Sequence, residues 1–506
     1  MCRRSESLSL IEPRCRTCWR YMSQNGYCEI LGPLWRQRES LVDTLFCGIL
    51  CPSFLFGHSP TILKLMKENK VIYDKFLDWV KQYGPVIRIN GLHHVMILSV
   101  SPETVKECLM STKYKKDRFY KHVSNLFGVR FLGNGLVTDR DYDHWHKQRR
   151  IMDPAFSKTY LIGLMGPFNE NAEHLMEKLS DKADGKQQVR MHDLMSRVTL
   201  DIIAKVAFGM EINSLEDEET PFPRAISTVM SGFVELRNPL KRYLPGNNKR
   251  IQNVRKSIGL LRETGRECIK RRQKAIDDGE DVPGDILTQI LKGAALEEDC
   301  DPENLVDNFV TFFIAGQETT ANQLSFAILE LARNPQILEK VQAEVEDVIG
   351  SRRDLEYEDL GKLKYLSQVL KETLRLYPTA PGTSRAIDED MVIEGVKIPA
   401  PASLMLNSYI MGRMEEYYED PYTFNPERFA PDAPKPYFTY FPFSLGPRSC
   451  IGRVFAQMEA KVVMAKLLQR FDFTLVEGQS FKILDTGTLR PLDGVICTLR
   501  PRTSMK

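Results

Sequence analysis

The 506-residue chain has no hydrophobic run long enough to cross a bilayer as a helix. Its most apolar stretch, residues 44–57, is broken by Pro52, and a spanning helix needs about 20 apolar residues. That stretch suits a membrane interface or packing on the body. An excess of one charge is also missing: 69 Lys and Arg stand against 67 Asp and Glu. No polyanionic partner is implied, and nucleic acid is not an expected ligand. Internal repeats and low-complexity linkers are absent. Eleven cysteines in so long a chain make no disulfide framework. Six of them (Cys2, Cys15, Cys18, Cys28, Cys47 and Cys51) crowd the start, leaving Cys108, Cys268, Cys300, Cys450 and Cys497 for the rest. The body therefore reads as a protein of a reducing compartment. At 42% hydrophobic residues it reads as globular rather than polytopic membrane.

What is present centres on Phe443-Ser-Leu-Gly-Pro-Arg-Ser-Cys450-Ile-Gly452. Phe, Gly, Arg, Cys and Gly at these fixed spacings arise by chance in roughly one chain in ten thousand of this length. A thiolate ligand must be deprotonated and shielded from oxidation. Glycines allow tight turns and close approach to a flat ring. Arg448 offers a fork of donors matched to a carboxylate. Residues 451–468 are apolar at helical spacing, so Cys450 is expected at a helix N-terminus, whose positive end favours an anionic sulfur. The plain alternative is a buried free cysteine in a Gly-rich turn.

Residues 1–54 are set apart as an atypical, mildly basic N-terminal segment, membrane-associated or disordered. Cys15 and Cys18 have zinc spacing, but no second pair follows. The expected domain is 55–506, mainly α with a small β-rich lobe. Helices are expected over 73–83, 157–182, 191–208, 223–236, 248–278, 336–349 and 363–377. Strands are expected near 86–90, 95–100, 384–387, 391–398, 403–407 and 495–499. The segment 112–140 is irregular, and long irregular segments are often functional. A helix begins at Asp301-Pro302 and stops at Asn334-Pro335.

Midway along that helix lies Ala315-Gly316-Gln-Glu318-Thr319-Thr320. A mid-helix glycine costs about 1 kcal/mol, which a close ligand or a helix crossing offsets. A Thr hydroxyl beside an acid can relay protons. Glu372 and Arg375 share a helix face, as do Trp145 and Arg149. Arg385 is a further candidate carboxylate donor.

In this order, with Pro426-Glu-Arg428-Phe429 before the cysteine loop, the motifs resemble the cytochrome P450 family over about residues 55–500. The resemblance implies the cytochrome P450 fold, with haem b between the long helix and the helix after Cys450. It implies Cys450 as the iron's axial thiolate, with Phe443 and Gly452 shaping its loop and Ala315 and Gly316 against the ring. Trp145, Arg149, Arg385 and Arg448 would bind propionates. Glu318 and Thr319 would deliver protons, and Glu372, Arg375 and Arg428 would form a structural triad. Within the family, runs such as Asp307-Asn-Phe-Val-Thr-Phe-Phe-Ile-Ala-Gly316 and Phe438-Thr-Tyr-Phe-Pro-Phe-Ser-Leu-Gly446 are similar to the vertebrate cholesterol-hydroxylating branch. This implies a sterol monooxygenase on the cytoplasmic face of the endoplasmic reticulum membrane, fed by dioxygen and NADPH-cytochrome P450 reductase. The alternatives are a broader lipid or xenobiotic hydroxylase, and a non-catalytic haem or sterol binder. Substrate-lining candidates are Ala315, Ala380, Gly382 and Thr488. The branch's N-terminal membrane helix is not visible, and residues 379–384 lack bulky aromatics, so a wider pocket is expected.

Overall fold

The computed structural model describes residues 56–91, 94–235, 247–297 and 301–502. The expectations for the N-terminal segment, including Cys15 and Cys18 and the apolar run up to residue 55, lie outside these residues. The body is mainly helical with a small β part.

Its axis is the helix Pro302–Arg333, 32 residues long. Asp301 caps it by accepting the Glu303 N–H at 3.0 Å, and Pro302 fills the first position, where no N–H is needed. Asn334 ends it at φ −125°, ψ 76°, because a residue before proline is pushed out of helical geometry. Nearly every residue from Asn304 to Leu331 is buried, so this is a core helix rather than a surface one. Its buried polar groups are answered. Asp307 accepts from Arg130 at 2.6 Å, from Arg262 at 2.7 Å and from the Asn134 N–H at 2.8 Å. Asn308 donates to Gln148 at 2.8 Å and accepts the Leu136 N–H at 2.9 Å. These bonds pin the irregular 112–140 segment to the long helix. That segment contains a short helix, Phe119–Ser124, and a two-stranded ribbon, Asn125–Leu126 with Val129–Arg130.

Met191–Phe208 crosses the long helix, and Arg453–Arg470 packs against both the long helix and Met165–Ser180. The single helix expected over 157–182 is two, Lys158–Ile162 and Met165–Ser180, interrupted at Gly163-Leu164. Glycine is a poor helix former there. A four-stranded sheet runs Val86–Gly91, His94–Ser99, Ala402–Asn407, Gly382–Ile387. The strand expected over 391–398 is a hairpin, Met391–Ile393 with Val396–Ile398. It reverses at Glu394-Gly395, both at positive φ. A second hairpin, Ile483–Asp485 with Leu489–Pro491, was not expected from the sequence.

Candidate active site

The cysteine loop is held by its own backbone. The Cys450 N–H donates to Phe443 O at 2.8 Å, and the Ser449 N–H donates to Gly446 O at 3.0 Å. Gly446 has φ +67°, and a Cβ there would stand 2.1 Å from Leu109 O; no other residue fits. Arg149 donates to Ser449 O at 2.7 Å and pairs with Asp153. The structure thus gives Arg149 a loop-bracing position, although it also lines the cavity. Gly452 caps the helix Arg453–Arg470. Cys450 therefore sits just before a helix N-terminus, with its exposed surface facing a cavity of about 290 Å³. Burial pushes its thiol up, opposed by the Gly452 N–H and by Arg149 and Arg453. Coordination to a metal deprotonates such a thiol outright.

The cavity runs between this loop and the long helix, with Trp145, Arg149, Phe443, Arg448 and Gly452 on its wall. Three cations gather at one end. Arg448 lies 4.1 Å over the Trp145 ring and donates to Asp139 O at 2.7 Å. Burial, together with Arg385, brings it down to about 10, against the pull of Asp139. Arg385 is 2% exposed and donates to Thr383 Oγ1 at 2.9 Å and to Ser384 O at 3.2 Å. Burial lowers it also. Lys116 lines the cavity and donates to Val137 O at 2.6 Å. Burial, with Arg385 and Arg448 adding repulsion, holds its amine well below the usual range. No carboxylate among the described residues forms an ion pair with these three. Arg385 is buried and Lys116 and Arg448 are half-buried; cations so placed without counter-ions are costly, and a ligand carrying carboxylates would complete them. Sequence reasoning missed Lys116 because an irregular segment carries no period to mark which side chains turn inward.

On the opposite wall the long helix presents Ala315, Gly316, Thr319 and Thr320. The Thr319 hydroxyl donates to Ala315 O at 2.8 Å. A Cβ on Gly316 would stand 2.7 Å from Ile203 Cγ1, so the helix crossing accounts for this glycine. Ala380 and Gly382 line the cavity as expected candidates. Thr488 and Glu318 do not: the Thr488 hydroxyl donates to Glu318 Oε1 at 2.9 Å, away from the cavity wall. Their placement departs from the sequence expectation because a hairpin that carries no sequence motif brings Thr488 to the acid. Glu459, nine residues after Cys450, is fully buried, and neither carboxyl oxygen has a hydrogen bond. Burial raises it well above the carboxylate range. The Thr320 hydroxyl beside it opposes that rise, though the contact falls short of full hydrogen-bond geometry.

Beneath the loop, Arg375 meets Glu372 with two bonds of 2.7 Å, both side chains fully buried. Arg428 approaches the same carboxylate at 3.4 Å. Arg375 also donates to the carbonyls of Gly412, Pro421 and Thr423. The triad ties the helix Lys364–Leu376 to the chain leading into the cysteine loop.

A thiol with an aimed N–H, a slot between two helices and a nest of unpaired cations fit a flat, dianionic metal macrocycle. A family model described as cytochrome P450 matches residues 52–498. The chain belongs to the cytochrome P450 family. It is 30% identical to cytochrome P450 4d2 of Drosophila melanogaster, over 88% of this chain and 92% of that one. It is 31% identical to the cytokinin hydroxylase of Arabidopsis thaliana, over 85% and 84%. With the protein LUTEIN DEFICIENT 5, chloroplastic, of the same plant, it shares 32% identity over 85% and 74%. This P450 is a monooxygenase that uses dioxygen and a redox partner, and its cofactor is haem b with a cysteine thiolate on the iron. The non-catalytic alternative falls with that assignment. Among the described residues, no helix is long and apolar enough to cross a membrane.

Proposed function

We propose that this P450 hydroxylates a neutral sterol, in the manner of a cholesterol 24-hydroxylase, with Cys450 as axial ligand. The observation that carries the sterol reading is the distribution of charge in the cavity. Among the described residues, its charged lining residues are Lys116, Arg149 and Arg448. Arg149 is spoken for by Asp153, while Lys116 and Arg448 belong to one cluster with Arg385. That cluster suits the two haem propionates, leaving no cation among the described lining residues for the carboxylate of a fatty acid. The remaining wall is apolar or bears neutral hydroxyls, among them Leu136, Phe312, Ala380, Thr379 and Thr383. Such a wall suits a large neutral lipid.

The haem, when bound, supplies dioxygen activation and oxidation of an unactivated C–H bond. This chain's residues position and protonate. Arg448 and Arg385 would hold the propionates. Thr319 keeps its Oγ1 proton at the cavity wall, anchored on Ala315 O. Glu318, the preceding residue in the chain, is the acid that replenishes it. Small side chains at Ala380 and Gly382 widen the space near the reacting carbon. Electrons come from an NADPH-dependent diflavin reductase at the endoplasmic reticulum membrane, with residues 1–54 as a segment apart from the 55–506 domain. Fractionating cells that express the chain with and without residues 1–51 tests the membrane assignment.

The substrate reading is tested by optical titration of the holoenzyme with cholesterol, a long-chain fatty acid and a set of drugs, followed by product identification. Cholesterol is expected to bind most tightly and to be hydroxylated on its side chain. Tighter binding of the fatty acid, lost on esterification, contradicts the charge argument. Turnover of many unrelated drugs at similar rates favours the broader hydroxylase.

A further inference from the structure

Glu318 and Thr319 are adjacent in the long helix, but only Thr319 reaches the cavity. The Glu318 carboxylate is turned into the protein. Its Oε1 accepts the Thr488 hydroxyl at 2.9 Å and lies 3.5 Å from Asn322 Nδ2. Asn322, one helical turn further on, is fully buried. Its amide N–H donates to Thr488 Oγ1 at 3.3 Å, and its Oδ1 stands 2.9 Å from His192 Nε2. His192 is buried at the start of the helix Met191–Phe208. Its other ring nitrogen faces the Asp193 carboxylate at 3.8 Å. Glu318 is thus tied into a buried polar chain that leads toward the surface and away from the reacting space.

Thr488 is fixed by the turn that carries it. The turn closes the hairpin Ile483–Asp485 with Leu489–Pro491, and the Thr486 N–H donates to Thr488 O at 2.9 Å. Gly487 has φ +93°, and a Cβ there would stand 2.4 Å from Phe233 Cδ1. The turn therefore rests on the Phe233 ring, which belongs to the helix Pro221–Glu235. Phe233 packs edge-on against Phe119 at 5.7 Å, and Phe119 packs edge-on against the cavity-lining Tyr120 at 6.1 Å. A continuous run of packed groups thus joins the cavity wall to the Glu318 carboxylate.

We propose that Thr488 is a positioning residue: it latches the Glu318 carboxylate away from the cavity, through a turn seated on Phe233. The proposal rests on reading Glu318 as the acid that supplies the cavity. While the latch is closed, protons are withheld from a cavity without substrate, and reductant is not wasted. A buried carboxylate that loses its hydroxyl donor keeps only the long contact to Asn322. It then gains by turning toward other polar groups, and its neighbours Thr319 and Thr320 present hydroxyl-bearing side chains to the cavity.

The test compares Thr488→Val, which keeps the shape and removes the hydroxyl, with Thr488→Ser, which keeps the hydroxyl and removes a methyl. In the holoenzyme with its reductase and no substrate, Thr488→Val is expected to raise NADPH consumption and peroxide release several-fold. Thr488→Ser is expected to stay near wild type, and Glu318→Gln combined with Thr488→Val to return to the low level. Crystal structures supply a readout independent of turnover: Glu318 swings toward the cavity in the Val variant and stays latched in the Ser variant. A Val variant with an unmoved Glu318 and wild-type consumption overturns the latch. A Ser variant as leaky as Val overturns it too, because packing and not the hydroxyl would then be at work. If Glu318→Gln alone leaves product per NADPH unchanged, the proton role of Glu318 fails, while the Val structure still decides whether Thr488 positions it.

Discussion

The guanidinium of Arg448 lies 4.1 Å from the centre of the Trp145 ring, parallel in function to a clamp: the indole holds the fork, and the fork faces the cavity. A desolvated cation–π contact of this kind contributes about 2 kcal/mol. On the proposed reading, Trp145 would act on a bound haem through Arg448.

Trp145→Leu is therefore expected to lower the haem retained per polypeptide, read from the absorbance of the purified protein. Arg448→Lys keeps the charge but loses the planar fork and the stack, so it should lose haem as well. Full haem occupancy in both variants would mean that the clamp is dispensable.

Gly316→Ala should destabilise the fold by about 1–3 kcal/mol, the usual cost of overpacking, since its methyl would meet Ile203 Cγ1 at 2.7 Å. Trimming the partner in Gly316→Ala with Ile203→Ala should recover much of the loss in denaturant unfolding. Without recovery, the glycine would serve something other than the crossing.

These two positions show what the sequence makes legible. The Cys450 loop is readable because its chemistry demands fixed residue types at fixed spacings, and the long helix because Asp301-Pro302 and Asn334-Pro335 mark both ends. Gly316 is readable as special but ambiguous in purpose, because its neighbour Ile203 lies more than a hundred residues away in the chain. Lys116 and the Thr488–Glu318 bond were illegible for the same reason: each is a tertiary juxtaposition made by an irregular segment or a short hairpin. Arg149 matched its motif, yet the fold gives it Ser449 O and Asp153 as partners.

Glu372→Ala leaves Arg375 buried with no counter-charge and strips Arg428 of its ion-pair partner. Breaking a buried pair from one side costs about 3–5 kcal/mol. Arg428→Ala should cost less, since that guanidinium stands 3.4 Å off and Arg375 remains satisfied. Chemical denaturation of the two variants orders them; equal losses would contradict the asymmetry.

Glu303 sets an acid-side dependence. Arg266, donating at 2.9 Å, and Arg262 behind it hold this carboxyl at about 2. A depressed carboxyl stabilises the fold fully above its unfolded value of about 4.3, and the contribution fades as pH falls toward 2. At 40% exposure, salt screens the effect. Glu303→Gln should lower Tm at neutral pH by a small, salt-sensitive amount, and the gap to wild type should close near pH 2. A gap independent of pH would assign the effect to packing.

Everything at this site turns on Cys450 as the thiolate ligand of the haem iron. The absorbance spectrum of the reduced holoenzyme under carbon monoxide tests it most directly. Thiolate ligation by Cys450 should give a Soret band displaced to long wavelength, and Cys450→Ser should lose that band. An undisplaced band in the wild-type protein, or a displaced band that survives Cys450→Ser, would contradict it.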